Sequence, residues 1–281
     1  MKRVIAILLC FLMSTHLVYG NNVIDEILSR KEQKTSNADM IYKYINKSKT
    51  IKIISNEKEV EEEIKEKKEV DEKAYIKGID ISKWNGDIDW GKVKEADIKF
   101  AIIRAGYGSN TIDKKFKQNI ENAIKNDMII GIYWFSYAYT DEMAIKEAEM
   151  CYKTIKPYKK HIKLPIFWDF EYDSVNRANG KGVHVTKESC SSMADNFCKT
   201  IEKLGFKSGI YTNIDYSRRY FTQEVLDKYY TWIAQWTSEC TYKGKYILWQ
   251  KSANLRIGGI VFDLNYLYYN RYEGDINEED S

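Results

Sequence analysis

The chain has 281 residues, 44% of them hydrophobic and 30% charged, and a formal net charge of +3 that falls to about +1 if Lys2 and Arg3 leave with a leader. That balance excludes the basic footprint of a nucleic-acid-binding protein. The length admits one or two domains and a large buried core.

Residues 1–20 start with two basic residues, run apolar from 4 to 13 and close on Gly20, which resembles a secretory signal peptide. An apolar run of 10 residues is too short to cross a bilayer, which takes about 20. The expectation is therefore a secreted or extracellular chain, at a cell surface or in a lumen as the alternatives, with no stable membrane span after leader removal. Residues 21–74 are rich in Lys, Glu, Asn and Ser and end in the mixed-sign run 57–73, the composition of a solvated stalk or linker.

From residue 75 the pattern changes to short apolar runs alternating with amphipathic stretches, the signature of βα units. Strands are expected at 76–81, 100–105, 128–137, 164–171, 209–212, 231–236, 246–250 and 260–264. Helices are expected at 113–126, 140–155 and 186–204, the second and third opened by capping threonines. Past residue 216 the strands follow one another with little room for helices. The economical fold is α/β: a modified TIM-like (β/α) barrel of eight strands over residues 75–270, with some outer helices missing in the C-terminal half and an acidic tail at 271–281. A doubly wound sheet is disfavoured because no GxGxxG loop follows the first strand.

Four cysteines remain in a mature chain, Cys151, Cys190, Cys198 and Cys240. On one helix Cys190 and Cys198 lie about 12 Å apart, beyond the about 7 Å reach of a disulfide. Cross-pairing of these two with Cys151 and Cys240, or four free thiols, both remain open. With only His161 and His184 in the body and no CxxC, no metal site or other cofactor is expected.

The chemistry gathers in LPIFWDFEYD, residues 164–173. Side chains two apart on a strand share a face, so Asp169 and Glu171 point one way and Phe170 the other. Two acids about 6.6 Å apart along a strand can hold different protonation states, as acid hydrolysis of a glycosidic bond requires. Asp80 and Asp263 fall at the inferred ends of two other strands, where barrel enzymes carry their active sites. Taken alone, Asp80 reads first as a turn or helix-capping aspartate, and only the company of the other strand-end acids changes that. Asn213 and Gln235 are further polar residues at strand ends.

The stretches GIDISKWNGDIDW, FAIIRAGYG, LPIFWDFE, GIYTN, WIAQW, LWQ and VFDLNYL resemble, in order and spacing, the motifs of glycoside hydrolase family 25 lysozymes. The resemblance covers about residues 75–267. It implies a barrel lacking a few outer helices and hydrolysis of the β-1,4 bond between N-acetylmuramic acid and N-acetylglucosamine, so that the partner is the glycan strand of peptidoglycan. Carried over by position, Glu171 resembles the general acid, with Asp169, Asp80 and Asp263 as supporting carboxylates. Trp168 and Phe170 beside Glu171 are expected to raise its proton affinity, together with like-charge repulsion. The second step is implied to use either the substrate's own acetamido oxygen or a carboxylate-assisted water, oriented by Asp169 or Asp80.

Most of the 22 tyrosines and 7 tryptophans read as core. Tyr133, Tyr137, Tyr211 and Trp236 are expected at the barrel mouth to contact sugar, and Gln250 to hydrogen-bond an acetamido group. Arg104 and Tyr107 could line the same groove, Arg104 alternatively pairing with an acid inside the barrel. A loop at 174–185 is expected to form one wall, with His184 at its surface. Trp84, Asn85 and Trp134 depart from the usual family residues and bear on substrate preference. A family 18 chitinase-like barrel also ends a motif in Asp-x-Glu, but its upstream acids would fall at Phe167 and Leu164. A noncatalytic cell-wall glycan-binding protein on the same fold is the remaining alternative.

Overall fold

The computed structural model describes residues 75–272. The leader, the stalk at 21–74 and nearly all of the acidic tail lie outside the described residues.

Strands β1 (Ile76–Ile81), β2 (Phe100–Tyr107), β4 (Ile129–Phe135), β5 (Ile162–Asp169), β6 (Ser208–Asn213), β7 (Tyr230–Ala234) and β8 (Leu248–Ile257) run parallel to their neighbours in one sheet. The last strand, β9 (Ile260–Leu267), pairs antiparallel with both β8 and β1 and closes the barrel. A two-residue strand β3 (Thr111–Ile112) hangs on the outside edge of β2. Eight strands therefore form the ring, as expected, but the eighth runs the opposite way. The reason is local: β8 continues to Ile257 and folds back through Gly258 and Gly259, whose φ angles of 58° and 87° suit the two-residue hairpin turn that pairs Ile257 with Ile260.

Alternation along the strands divides the apolar residues between two cores. Ile79, Ile103, Ile132, Trp134, Ile166, Trp168 and Phe170 face outward and pack under the helices. Phe100, Ile102, Leu164, Phe167, Trp232, Leu248 and Leu267 fill the barrel interior. Each such fully buried side chain contributes roughly 1.5–3 kcal/mol. Large rings fit inside because small residues face them. A Cβ on Gly78 would lie 2.4 Å from the Phe100 ring, and one on Gly209 would lie 2.5 Å from the Phe167 ring.

The outer layer consists of α1 (Trp90–Glu95), α2 (Phe116–Lys125), α3 (Asp141–Ile155), α4 (Tyr172–Asn179), α5 (Lys187–Lys203), α6 (Ile214–Arg219) and α7 (Gln223–Lys228). Thr140 starts α3 by accepting a hydrogen bond from the Met143 amide at 3.3 Å, and Asp141 and Glu142 in the first turn complement the helix dipole. Thr186 and Ser189 cap α5 reciprocally, at 3.2 and 2.9 Å. After α7 no helix separates β7, β8 and β9, in keeping with the sparse C-terminal half read from the sequence. The first half of the expected loop at 174–185 is instead helical, because α4 begins directly after Glu171, and a loop follows from Gly180. All four described cysteines are free thiols, three buried and Cys240 half-buried.

Candidate active site

The parallel strands end at one rim, and there a cavity of ≈ 270 Å³ is lined by Asp80, Arg104, Asp169, Glu171 and Asp263, together with Tyr133, Tyr211 and Gln250. The four acids separated in sequence thus share one cavity. β5 ends at Asp169, yet the chain stays extended through Glu171, at φ −130° and ψ −165°, so the two-residue alternation persists past the strand and turns both carboxyls inward. Phe170 stacks on Trp168, with ring centroids 5.2 Å apart, in the outer core. These two rings therefore do not flank the Glu171 carboxyl, as was expected: alternation puts them on the other face of the sheet.

Asp263 comes to the rim by the reversed strand, where it is the direct cross-strand partner of Asp80. Between them stands Gln250. Its Nε2 donates to Asp80 Oδ2 at 2.9 Å and to Asp263 Oδ2 at 3.4 Å, while its Oε1 accepts from Tyr211 Oη at 3.0 Å and from Trp236 Nε1 at 3.2 Å. Two donor hydrogens and two acceptor lone pairs exhaust an amide. These bonds hold Gln250 between the acids in the cavity wall, at the place where the sequence suggested a hydrogen bond to an acetamido group.

Asn265, two residues beyond Asp263 and on the same face, donates to Asp80 Oδ2 at 2.7 Å and accepts from Trp232 Nε1 at 2.8 Å. Its role was missed in the sequence although the i, i+2 spacing from Asp263 carries the signal. Arg104, in the cavity wall, pairs with the buried Asp113 at 2.7 Å, and Asp113 also accepts from the Lys83 amide at 3.1 Å, tying the β1 loop to β2. Asn213 and Gln235 serve the fold. The first caps α6 through the Tyr216 amide at 2.9 Å, and the second pins Thr241 by two bonds of 2.8 Å.

Of the expected sugar-contacting aromatics, Tyr133 and Tyr211 line the cavity and are largely buried. Trp236 is 64% exposed beside it. Tyr137 is absent from the lining: its ring packs edge-on against Phe135 and Tyr107, with Arg177 at 5.1 Å from its centre. Trp84, 78% exposed, and Asn85 add a further edge. His184 is lodged in a side groove with Tyr172 and Tyr216.

Burial dominates the electrostatics. It pushes Asp80 above the usual carboxylate range, reinforced by the facing Asp263 and opposed by the Asn265 and Gln250 donors. Asp263 is raised by burial as well, against the effect of its hydrogen bond with Asp80. Asp169 is raised well above the range, first by burial and then by the charge of Glu171. Glu171 is also raised, by burial ahead of the charges of Asp173 and Asp263, while its bond with Asp169 acts the other way. A proton in so tightly coupled a pair belongs to both carboxyls. One oxygen, Asp169 Oδ1, is buried without a hydrogen-bond partner among the described residues. Such an atom is costly unless something in the cavity donates to it.

No group of three or more His, Cys, Asp or Glu among the described residues is arranged to hold a metal ion. No described helix is long and apolar enough to cross a membrane. A pair of inward carboxyls at the end of a barrel strand, raised in proton affinity and facing two more acids, is suited to acid-assisted cleavage of an acetal.

Comparison with known proteins agrees with that chemistry. Lysozyme M1 of Streptomyces globisporus is 43% identical over 61 residues, a segment covering 22% of this chain and 21% of that protein. A family 25 glycosyl hydrolase structure from Bacillus anthracis superposes with a TM-score of 0.59 at 27% identity, over 69% of this chain and 88% of that one. The modular autolysin LytC from Streptococcus pneumoniae gives a TM-score of 0.61 at 24% identity, over 68% of this chain and 46% of LytC. Residues 79–260 match the family described as glycosyl hydrolases family 25. With barrel, rim acids and sequence match in agreement over most of residues 75–272, the chain belongs to glycosyl hydrolases family 25.

Proposed function

We propose that this protein is a secreted lysozyme that hydrolyses the β-1,4 bond between N-acetylmuramic acid and N-acetylglucosamine in peptidoglycan, with Glu171 as its general acid. The convergence of Asp80, Asp169, Glu171 and Asp263 on one cavity is the observation that carries this reading. A noncatalytic glycan-binding protein would have no need of four acids gathered in one cavity, two of them buried and two half-buried.

Glu171 is half-buried whereas Asp169 is 4% exposed, so Glu171 is the member of the pair that an incoming glycosidic oxygen can reach. As the bond from the anomeric carbon to that oxygen breaks, the shared proton passes from Glu171 to the leaving oxygen. Positive charge developing on the ring is stabilised by the ionised members of the cluster. The unpartnered Asp169 Oδ1 is suited to accept the N–H of a substrate acetamido group. Such a contact turns the acetamido oxygen toward the anomeric carbon as the attacking group, and water then completes hydrolysis.

The purified protein incubated with peptidoglycan tests the assignment. Soluble fragments with reducing N-acetylmuramic acid ends are expected. Reducing glucosamine ends would reassign the bond, and binding without release would leave the noncatalytic reading.

A further inference from the structure

We propose that Glu147, a buried carboxylate outside the cavity, is a positioning residue that fixes the Asp169–Glu171 pair through Ser136 and Ser174. The inference rests on the reading of that pair as the reacting acids.

Glu147 lies in the middle of α3 and is 0% exposed. A leucine would fill such a place at lower cost, since a buried ionisable group is tolerated only where hydrogen bonds compensate it. Here they do. Ser136 Oγ donates to Glu147 Oε2 at 2.6 Å, and the Tyr137 amide donates to Oε1 at 2.9 Å. The helix thereby grips the chain just where β4 ends.

Ser136, also 0% exposed, is the junction. Its N–H donates to the Asp169 carbonyl at 2.7 Å. Its carbonyl accepts from Ser174 Oγ at 2.7 Å, and its own Oγ accepts from the Ala138 amide at 3.1 Å. Ser174 Oγ in turn accepts from the Glu171 amide at 3.0 Å. One serine therefore holds the main chain of Asp169 directly and that of Glu171 through a single intermediary. Only Phe170 separates the two acids in sequence, so the angle between their carboxyls is set by how the chain turns from β5 into α4. That turn is what the Ser136–Ser174 bridge fixes, and Glu147 holds the bridge from behind.

A displacement of about 1 Å at reacting groups costs as much as 10²-fold in rate. The effect of losing Glu147 should therefore fall on turnover and spare substrate binding, because no atom of Glu147 lines the cavity.

The test is steady-state kinetics on a soluble peptidoglycan fragment, with thermal unfolding in parallel, for wild type, Glu147→Ala, Glu147→Gln, Ser136→Ala and Ser174→Ala. Glu147→Ala is expected to remain folded at the assay temperature and lose at least about tenfold in kcat with KM within about twofold. Glu147→Gln, which keeps an acceptor for the Tyr137 amide, is expected to recover most of that loss. A merely structural role would lower the unfolding temperature of Glu147→Ala without lowering kcat. Folded Glu147→Ala with wild-type kcat overturns the inference. If Glu147→Ala does not fold, the two serine variants, each lacking one hydroxyl, carry the same expectation, and wild-type kcat in both overturns it. A wild type that does not hydrolyse the fragment sinks the glycosidase reading and the inference with it, whereas an active wild type with unaffected variants removes the inference alone.

Discussion

Asp80 and Asp263 stand directly opposite each other across the antiparallel β1–β9 pair. Like charges at such positions repel, and a sheet built only for stability would avoid them. The arrangement exists because β9 runs against the other seven ring strands, which brings the first half of its length to the rim where the parallel strands end. Gln250 and Asn265 then supply amide donors that hold the two acids in place.

Replacing Asp263 by Asn removes that repulsion while leaving both donors to Asp80. The variant is expected to gain roughly 0.2–1 kcal/mol at pH 8, to gain less at pH 5, and to lose activity. Chemical denaturation at the two pH values reads the difference. A loss of stability at pH 8 would mean that the pair is net favourable.

Asp80, Asp169, Glu171 and Asp263 all have proton affinities raised by burial. Each is protonated in the folded state at pH values where the unfolded chain has already released its proton. Their contribution to stability is therefore complete below the ordinary carboxylate range and lost as pH rises through the raised values. Between pH 5 and pH 8 the unfolding temperature of wild type should fall more than that of Asp169→Asn. Parallel slopes would show that Asp169 titrates as an ordinary carboxyl.

Gln250→Ala strips a donor from both acids and leaves Tyr211 Oη and Trp236 Nε1 without their acceptor. The expected cost is about 1–3 kcal/mol of stability, with a fall in kcat larger than the rise in KM. The opposite split, a raised KM alone, would return Gln250 to the direct substrate contact suggested by its sequence position.

Trp236 is the exposed aromatic beside the cavity, and its Nε1 bond to Gln250 fixes the ring. Trp236→Ala is expected to weaken glycan binding by about 1 kcal/mol, the scale of one stacked aromatic contact, with a modest loss of stability from the lost bond. Calorimetric titration with a peptidoglycan fragment would show it. Unchanged affinity would place the sugar elsewhere along the rim.

The barrel was legible because period-two alternation and capping threonines are local signals: Thr140 and Thr186 mark the starts of α3 and α5. The acid cluster was legible for the same reason, since residues two apart share a face and strand ends gather at one rim. What escaped depends on direction or on distant partners. Two adjacent glycines, Gly258 and Gly259, are a hairpin signal that the short strand spacing concealed, and with them went the reversal of β9. Glu147 sits in an amphipathic helix and reads as one more surface acid, because nothing near it in sequence reveals Ser136. The bonding of Gln250 to the acids was hidden because its four partners come from β1, β6, the segment after β7, and β9, none adjacent to it in the chain. Trp168 and Phe170 are neighbours of the acids along the chain but lie behind the sheet wall.

The most direct test compares wild type with Glu171→Gln on purified peptidoglycan, following newly formed reducing ends by mass spectrometry and confirming wall binding by sedimentation. Wild type is expected to release reducing N-acetylmuramic acid ends, and Glu171→Gln to bind the wall equally while losing at least about 10²-fold in rate, the low end for general acid catalysis. Equal release by the two proteins would contradict the assignment of Glu171 as proton donor.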